Sequence, residues 1–159
     1  MNRLQNCVLV NHSVPISLNN ATSAVTNVVD TFGFSGGDLT MIAALGATDG
    51  NFSAFKIQES DDNSSFSDVS GCVVATSTDI EGGATDLPDG TGDDNGLYVF
   101  QIKLTASRKR YFKLVATEDN TGATLMCCIA IIAPAGVSPA DTNLAIAGSV
   151  TDTAVMRAS

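Results

Sequence analysis

A chain of 159 residues with 44% hydrophobic content is sized for one domain around a single core, and it can fold without disulfide staples. Its 17 acidic against 8 basic residues give a formal charge of −9, which disfavours long-range attraction to nucleic acid or an anionic membrane and leaves neither as an expected partner. The longest apolar run, LMCCIAIIA at 125–133, is too short to span a bilayer, and MNRLQNCVLVNHSVPIS at the amino terminus lacks the hydrophobic stretch of a signal peptide.

Taken in chain order, the expected strands are Cys7–Leu18 (with a possible break at Pro15), Ser23–Thr31, Leu39–Ala47, Ala54–Ser60, Phe66–Val74, Leu97–Leu104, Tyr111–Thr117 and Leu125–Ala133. They recur every ten to twenty residues with turn-forming residues between them, and none carries a convincing apolar repeat at helical period. The expected fold is therefore all-β, an antiparallel β-sandwich, jelly-roll-like, of about eight strands with extended terminal segments. Leu39–Leu45 and Leu125–Ala133 are apolar on both faces and should lie centrally in their sheets. Residues 1–134 are expected to form the sandwich and residues 135–159 a C-terminal arm or tail.

Two matched segments dominate the middle of the chain. In AFKIQESDDNSSFSDVSG at 54–71, Phe55, Ile57 and Glu59 fall on one face and Lys56, Gln58 and Ser60 on the other, before an acidic turn and a second strand. In RKRYFKLVATEDNTGATLMCCIAIIAP at 108–134, Phe112, Leu114 and Ala116 oppose Tyr111, Lys113, Val115 and Thr117, before the turn EDNTG and an apolar strand. Both read as antiparallel hairpins.

Between them, TSTDIEGGATDLPDGTGDDNG at 76–96 reads as a long loop, of the kind that is functional or disordered. After Pro134 the chain turns small and polar with scattered Leu144, Ile146, Val150 and Val155. This tail either packs on a neighbouring subunit or covers its own domain as a strand or short helix.

No catalytic constellation emerges. His12 is the only histidine, sits in NHSVP and reads as a solvent-facing strand-edge residue, and no GxSxG element accompanies it. Nearly all the acids fall in loops, which argues against a facing carboxylate pair for glycoside hydrolysis. Glu59, Asp61, Asp62 and Asn63, and separately Asp89, Asp93, Asp94 and Asn95, could gather oxygen ligands for calcium, but neither follows the EF-hand series, and Asp-rich turns bond their own backbone. Cys7, Cys72, Cys127 and Cys128 lack metal-knuckle spacing, and Cys127 and Cys128, adjacent on a strand, point to opposite faces. No metal or cofactor is expected. The basic cluster Arg108, Lys109 and Arg110, at the entrance of the strand YFKLVAT, reads as an exposed turn or as a contact for an acidic loop such as 79–94, with Asp93 and Asp94, of the next subunit. The acidity itself serves solubility or recognition of a basic surface.

The order VVDTFGF at 28–34, a strand ending in ALGATDG, then FKIQESDDNSSFSDVSG, then RKRYFKLVAT with a Gly turn and an apolar strand resembles a group of small tailed-bacteriophage virion proteins, most like capsid decoration (cement) proteins with a jelly-roll or β-sandwich fold. The resemblance covers roughly residues 22–134 and is one of pattern. FSGGDLT at 34–40 and the 76–96 loop are richer in Gly and Asp than that group, and the tail after Pro134 is unlike it, so no oligomer contacts carry over. The resemblance implies a non-enzymatic protein of the outer capsid surface, made in the host cytoplasm, that binds the major capsid protein as a homo-oligomer, with a trimer favoured. Expected contacts are the terminal segments, with Leu144, Ile146 and Val150, together with Arg108, Lys109, Arg110, Asp93 and Asp94. The alternative is a carbohydrate- or receptor-binding sandwich of a phage tail or fibre, against which stand the absence of Trp and the presence of only two Tyr.

Overall fold

Alternating apolar and polar residues fold as the period-two pattern demands, and the side chains that turn inward from two sheets make one core. The computed structural model describes residues 7–19, 23–25, 27–74, 80–82, 87–89, 94–119, 122–135 and 153–158. Its strands are β1 (Val8–Leu18), β2 (Ser23–Val25), β3 (Val29–Asp30), β4 (Asp38–Thr48), β5 (Phe52–Ser60), β6 (Ser67–Val73), β7 (Ile80–Gly82), β8 (Leu97–Lys103), β9 (Tyr111–Glu118), β10 (Thr124–Ala133) and β11 (Thr153–Ala158). No helix occurs among the described residues.

Sheet A has the order β1-β10-β4-β8-β11-β7 and sheet B the order β2-β9-β5-β6, with β3 continuing the position of β2 along β9. Without β7 and β11, the two layers are β1-β10-β4-β8 and β2/β3-β9-β5-β6. The chain crosses between layers at every step except β2 to β3 and β5 to β6, which is the connectivity of an eight-stranded jelly roll. β4 and β10 are adjacent in the interior of sheet A, as their two-sided apolar character requires. All pairings are antiparallel save one: β11 runs parallel to β8 and then antiparallel to β7.

The core is aromatic where the layers meet. Phe55 on sheet B packs edge-on against Tyr98 of sheet A with centroids 4.9 Å apart, lies 5.9 Å from Phe100, and meets Phe52 edge-on at 5.4 Å. Ile57, Phe112 and Leu114 from sheet B and Leu39, Met41, Ile102 and Ile132 from sheet A complete it, all fully buried.

Four expectations are corrected. The first matched segment is a hairpin, β5 pairing β6, but the second is not: β9 lies in sheet B and β10 in sheet A, so EDNTG belongs to an arch between layers. A turn signal states only that the chain reverses, and whether the flanking strands pair depends on where each buries its apolar face. The first strands of the two matched segments, β5 and β9, instead pair with each other. Second, Ser23–Thr31 is two short strands rather than one. Third, a short strand, β7, lies within the 76–96 loop; β11 lies in sheet A of its own chain, the second of the two placements expected for the tail.

Fourth, His12 is not solvent-facing: it is fully buried. Register shifts on β1 between Asn11 and Ser13, and between Ser13 and Ile16, turn His12 and Ser13 inward together. On sheet B, β2 pairs residues 115–117 of β9 and β3 pairs 111–112, which leaves Leu114 opposite the gap between them. The Leu114 N–H donates to His12 Nε2 at 3.1 Å, and the Asn27 N–H donates to the His12 carbonyl at 3.2 Å. The imidazole thus replaces the missing ladder partner and ties an edge strand of sheet A to sheet B. Burial lowers its pKa from the ordinary 6.5 to about 4, so it stands neutral, as an acceptor nitrogen must.

Cys128 is buried and Cys127 only half-buried, on opposite faces of β10 as expected, and burial pushes the Cys72 and Cys128 thiols up to about 12.

Candidate functional site

The basic cluster gathers at one end of the sandwich, where three connections meet. The turn from β3 to β4 brings Thr31, Phe32, Gly33 and Ser35, the β5–β6 turn brings Asp61, and the β8–β9 loop brings Leu104, Thr105, Ala106 and Arg108–Arg110; together they line an open cleft of about 360 Å³.

Each wall has a local cause. Thr31 donates its backbone N–H to the Arg110 carbonyl at 3.0 Å and its hydroxyl to the same oxygen at 2.7 Å, fixing the first turn against the loop. The Phe32 N–H donates to Asp30 Oδ1 at 2.9 Å and the Phe34 N–H to the Thr31 carbonyl at 3.0 Å. Gly33 then takes φ +86°, a left-handed conformation that costs a side-chain-bearing residue more, and Phe32 is left pointing outward with 74% of its surface exposed. Across the cleft the Arg108 N–H closes a turn on the Thr105 carbonyl at 3.0 Å. In the β5–β6 turn, Asp62 Oδ1 accepts from the Ser65 and Ser64 N–H groups and from the Ser60 hydroxyl, all within 2.9 Å. Those bonds, that to Ser65 foremost, hold the Asp62 carboxyl down at about 2.

The three cations differ in their surroundings. Arg108 is mostly buried, its Nη1 is 3.5 Å from Glu59 Oε1, and Glu59 also accepts the Lys109 backbone N–H at 3.3 Å. Glu59 is itself buried at the inner end of β5, so the pair anchors the loop to the core more than it offers a free charge. Lys109 reaches the Ser67 hydroxyl at 2.9 Å. Arg110 is exposed and makes a two-pronged pair with Asp30, Nε to Oδ1 at 2.7 Å and Nη2 to Oδ2 at 2.6 Å. Its guanidinium also stands 4.7 Å from the Phe32 ring centre and 4.8 Å from that of Tyr111. The bonds to Arg110 hold the Asp30 carboxyl below its ordinary range.

The cluster foreseen as a basic rim is therefore largely neutralised within the chain. Its distinctive product is a rim in which Phe32, Arg110 and Tyr111 stack beside a polar cleft. Phe32 is a site residue that the strand pattern does not single out; its signal in the sequence is an aromatic placed directly before glycine between two strands. Asp94 lies in the exposed turn before β8, at the opposite end of that strand from the cleft, so these two parts of the expected contact set are not brought together within one chain. Asp93, Leu144, Ile146 and Val150, and the first six residues, lie outside the described residues. Among the described residues no group of three or more His, Cys, Asp or Glu side chains is arranged to hold a metal ion.

The outer faces of the sheets form the other surfaces available for contact. On sheet B, Lys56 pairs with Asp68 at 2.8 Å, Gln58 donates to the same carboxylate at 2.7 Å, and the Lys113 ammonium sits 3.8 Å from the Phe66 ring centre. On β1, β10, β4 and β8 of sheet A, the outward rows are Leu9–Ile131–Thr40–Gln101, then Asn11–Ile129–Ile42 ending on Val99, which is itself fully buried, then Cys127–Ala44–Leu97, and in these four strands a formal charge enters at the margin, where Asp38 pairs with Lys103 at 3.1 Å. Comparison with models of known protein families, with curated proteins and with solved structures finds no match to this chain.

Proposed function

We propose that this chain is a bacteriophage capsid decoration protein, a non-enzymatic homo-oligomer that binds the outer surface of the head and bridges major capsid subunits. The observation that carries the reading is the strand connectivity. The jelly-roll sandwich that the phage-like order of elements implies is the architecture that strands β1–β6 and β8–β10 adopt. The stacked rim at Phe32, Arg110 and Tyr111 supports it further, since tyrosine and arginine are among the residue types that dominate protein contacts. Bridging works by burial: at about 25 cal/mol per Å2 of apolar area, a few hundred Å2 per contact contributes on the kcal/mol scale before ordering costs, and several such contacts per oligomer multiply its residence. The test is co-sedimentation with phage heads assembled from the major capsid protein of the same source as this chain. Saturable binding that raises the temperature at which heads rupture is expected, and a folded protein that never sediments with heads ends the reading.

One observation favours a second reading, a carbohydrate-binding module. The exposed Phe32 ring beside a cleft with Thr31, Ser35, Asp61 and Thr105 supplies an aromatic platform that the composition did not promise. Reproducible binding on a glycan array, lost in Phe32→Ala, would replace the decoration reading.

A further inference from the structure

Among the described residues six large hydrophobic side chains are exposed, and five of them, Val8, Leu9, Val14, Leu125 and Ile129, lie on two neighbouring strands, β1 and β10. The sixth is Phe32, in the cleft rim. Leu9 is 68% exposed and Leu125 52%. The 11 residues of β1 and the 10 of β10 include no Asp, Glu, Lys or Arg, in a chain with 25 such residues. Leu9, Leu125 and Ile129 share one outward face with the half-buried Ile131, while Val8 pairs with the buried Ile132 on the other face and Val14 lies in the register shift between Ser13 and Ile16. Scattered exposed apolar residues are ordinary, but such a row on an uncharged sheet edge forms a patch of the kind that marks a contact surface.

We infer that the outer surface of β1 and β10 is where a second copy of this chain docks, face to face about a two-fold axis. Three observations select that occupant. The chain carries −9, so identical copies repel each other wherever charged surfaces meet, and the β1–β10 surface is one where they approach without bringing like charges together. Its composition is that of permanent self-association: contacts between independently folded partners are about as polar as the rest of the surface, whereas homodimer contacts are more apolar. Finally, β1 is a long edge strand without the lysine that usually guards one, yet Pro15 and two register shifts interrupt its free edge. An extended peptide cannot pair along its length, whereas a second sheet face can pack across it. In a two-fold pair every residue of the patch meets the same patch, so each substitution acts twice.

The inference rests on the homo-oligomer part of the proposed function but not on capsid binding. Light scattering on the full chain at tens of micromolar should give twice the chain mass, and Ile129→Lys, which places two ammonium groups in the contact, should weaken association by about a hundredfold or more. A monomeric wild type, a trimer, or an Ile129→Lys protein with unchanged mass overturns it. Should that variant fail to fold, Cys127 on the same outward face provides a readout in the wild type. N-ethylmaleimide, followed by peptide mass spectrometry, should modify Cys127 about tenfold more slowly at high protein concentration than at low. A Cys127 modification rate that does not change with protein concentration overturns the docking surface. If the monomeric variant still sediments with heads, decoration stands without pairing through this face; if the wild type pairs but never sediments, pairing stands and decoration falls.

Discussion

The two sheets share one core but present opposite outer faces. On sheet B, Lys56, Gln58 and Asp68 form a solvated hydrogen-bonded group and Lys113 covers Phe66; on sheet A, Leu9, Ile129, Ile131 and Ile42 follow one another across the strands. Both alternate with period two, so the difference does not arise from secondary structure. It lies in which residues occupy the outward positions. A sheet meant for water on one face needs polar residues there, whereas β4 and β10 are apolar on both faces, as strands covered on both sides are. Nothing about stability of the single chain demands those outward isoleucines.

That comparison predicts that side-chain identity matters less than the direction in which it points. Phe55→Ala removes the ring that joins the sheets and should cost about 3–5 kcal/mol in urea denaturation, whereas Phe32→Ala, in the exposed rim, should stay within about 0.5 kcal/mol. Comparable losses would mean that the inward and outward positions have been misassigned.

The tie between the sheets should next appear as a pH dependence. His12 has its pKa lowered on folding, from 6.5 to about 4, so the unfolded chain binds more protons in that interval. Its contribution is complete above about pH 6.5 and is lost as the pH falls toward 4, by roughly 3 kcal/mol in all. The lowered carboxyls of Asp30 and Asp68 act below this window, since their stabilisation is present above the unfolded value of 3.8 and is lost only as the pH falls through the lower folded value. His12→Gln should flatten the profile of unfolding free energy between pH 6.5 and 4. A wild-type profile already flat there would show that His12 is not held neutral between the sheets.

Much of the scaffold was legible because it follows from local pattern. The core strands β4, β5, β6, β8, β9 and β10 fall within two residues of their expected limits, since alternation and turn residues are carried by neighbours in sequence. The pairing partners were not. FKIQESDDNSS and YFKLVATEDNTG look alike, yet one closes a hairpin and the other an arch, because the outcome depends on β10 finding β1 and β4 in the other layer. His12 was misread for a related reason: burial of a polar residue depends on a single acceptor need, at Leu114, about a hundred residues away. The cluster Arg108–Arg110 was visible as charge, but its neutralisation by Glu59 and Asp30 required strands from two other parts of the chain.

The smallest expected effect is the most direct test of the contrast between faces. Asp68→Ala leaves Lys56 and Gln58 without their shared carboxylate, but both partners are accessible to water, so the loss should be about 0.5 kcal/mol or less and should shrink further in high salt. Light scattering should give Asp68→Ala the wild-type mass. Ile129→Lys should be its mirror image: its side chain points away from the core, so unfolding of the separated chain in urea should change little, while association changes strongly. If instead Asp68→Ala altered the oligomer and Ile129→Lys left it intact, the working surface would be the polar face of sheet B, and the apolar rows of sheet A would be without a role in assembly.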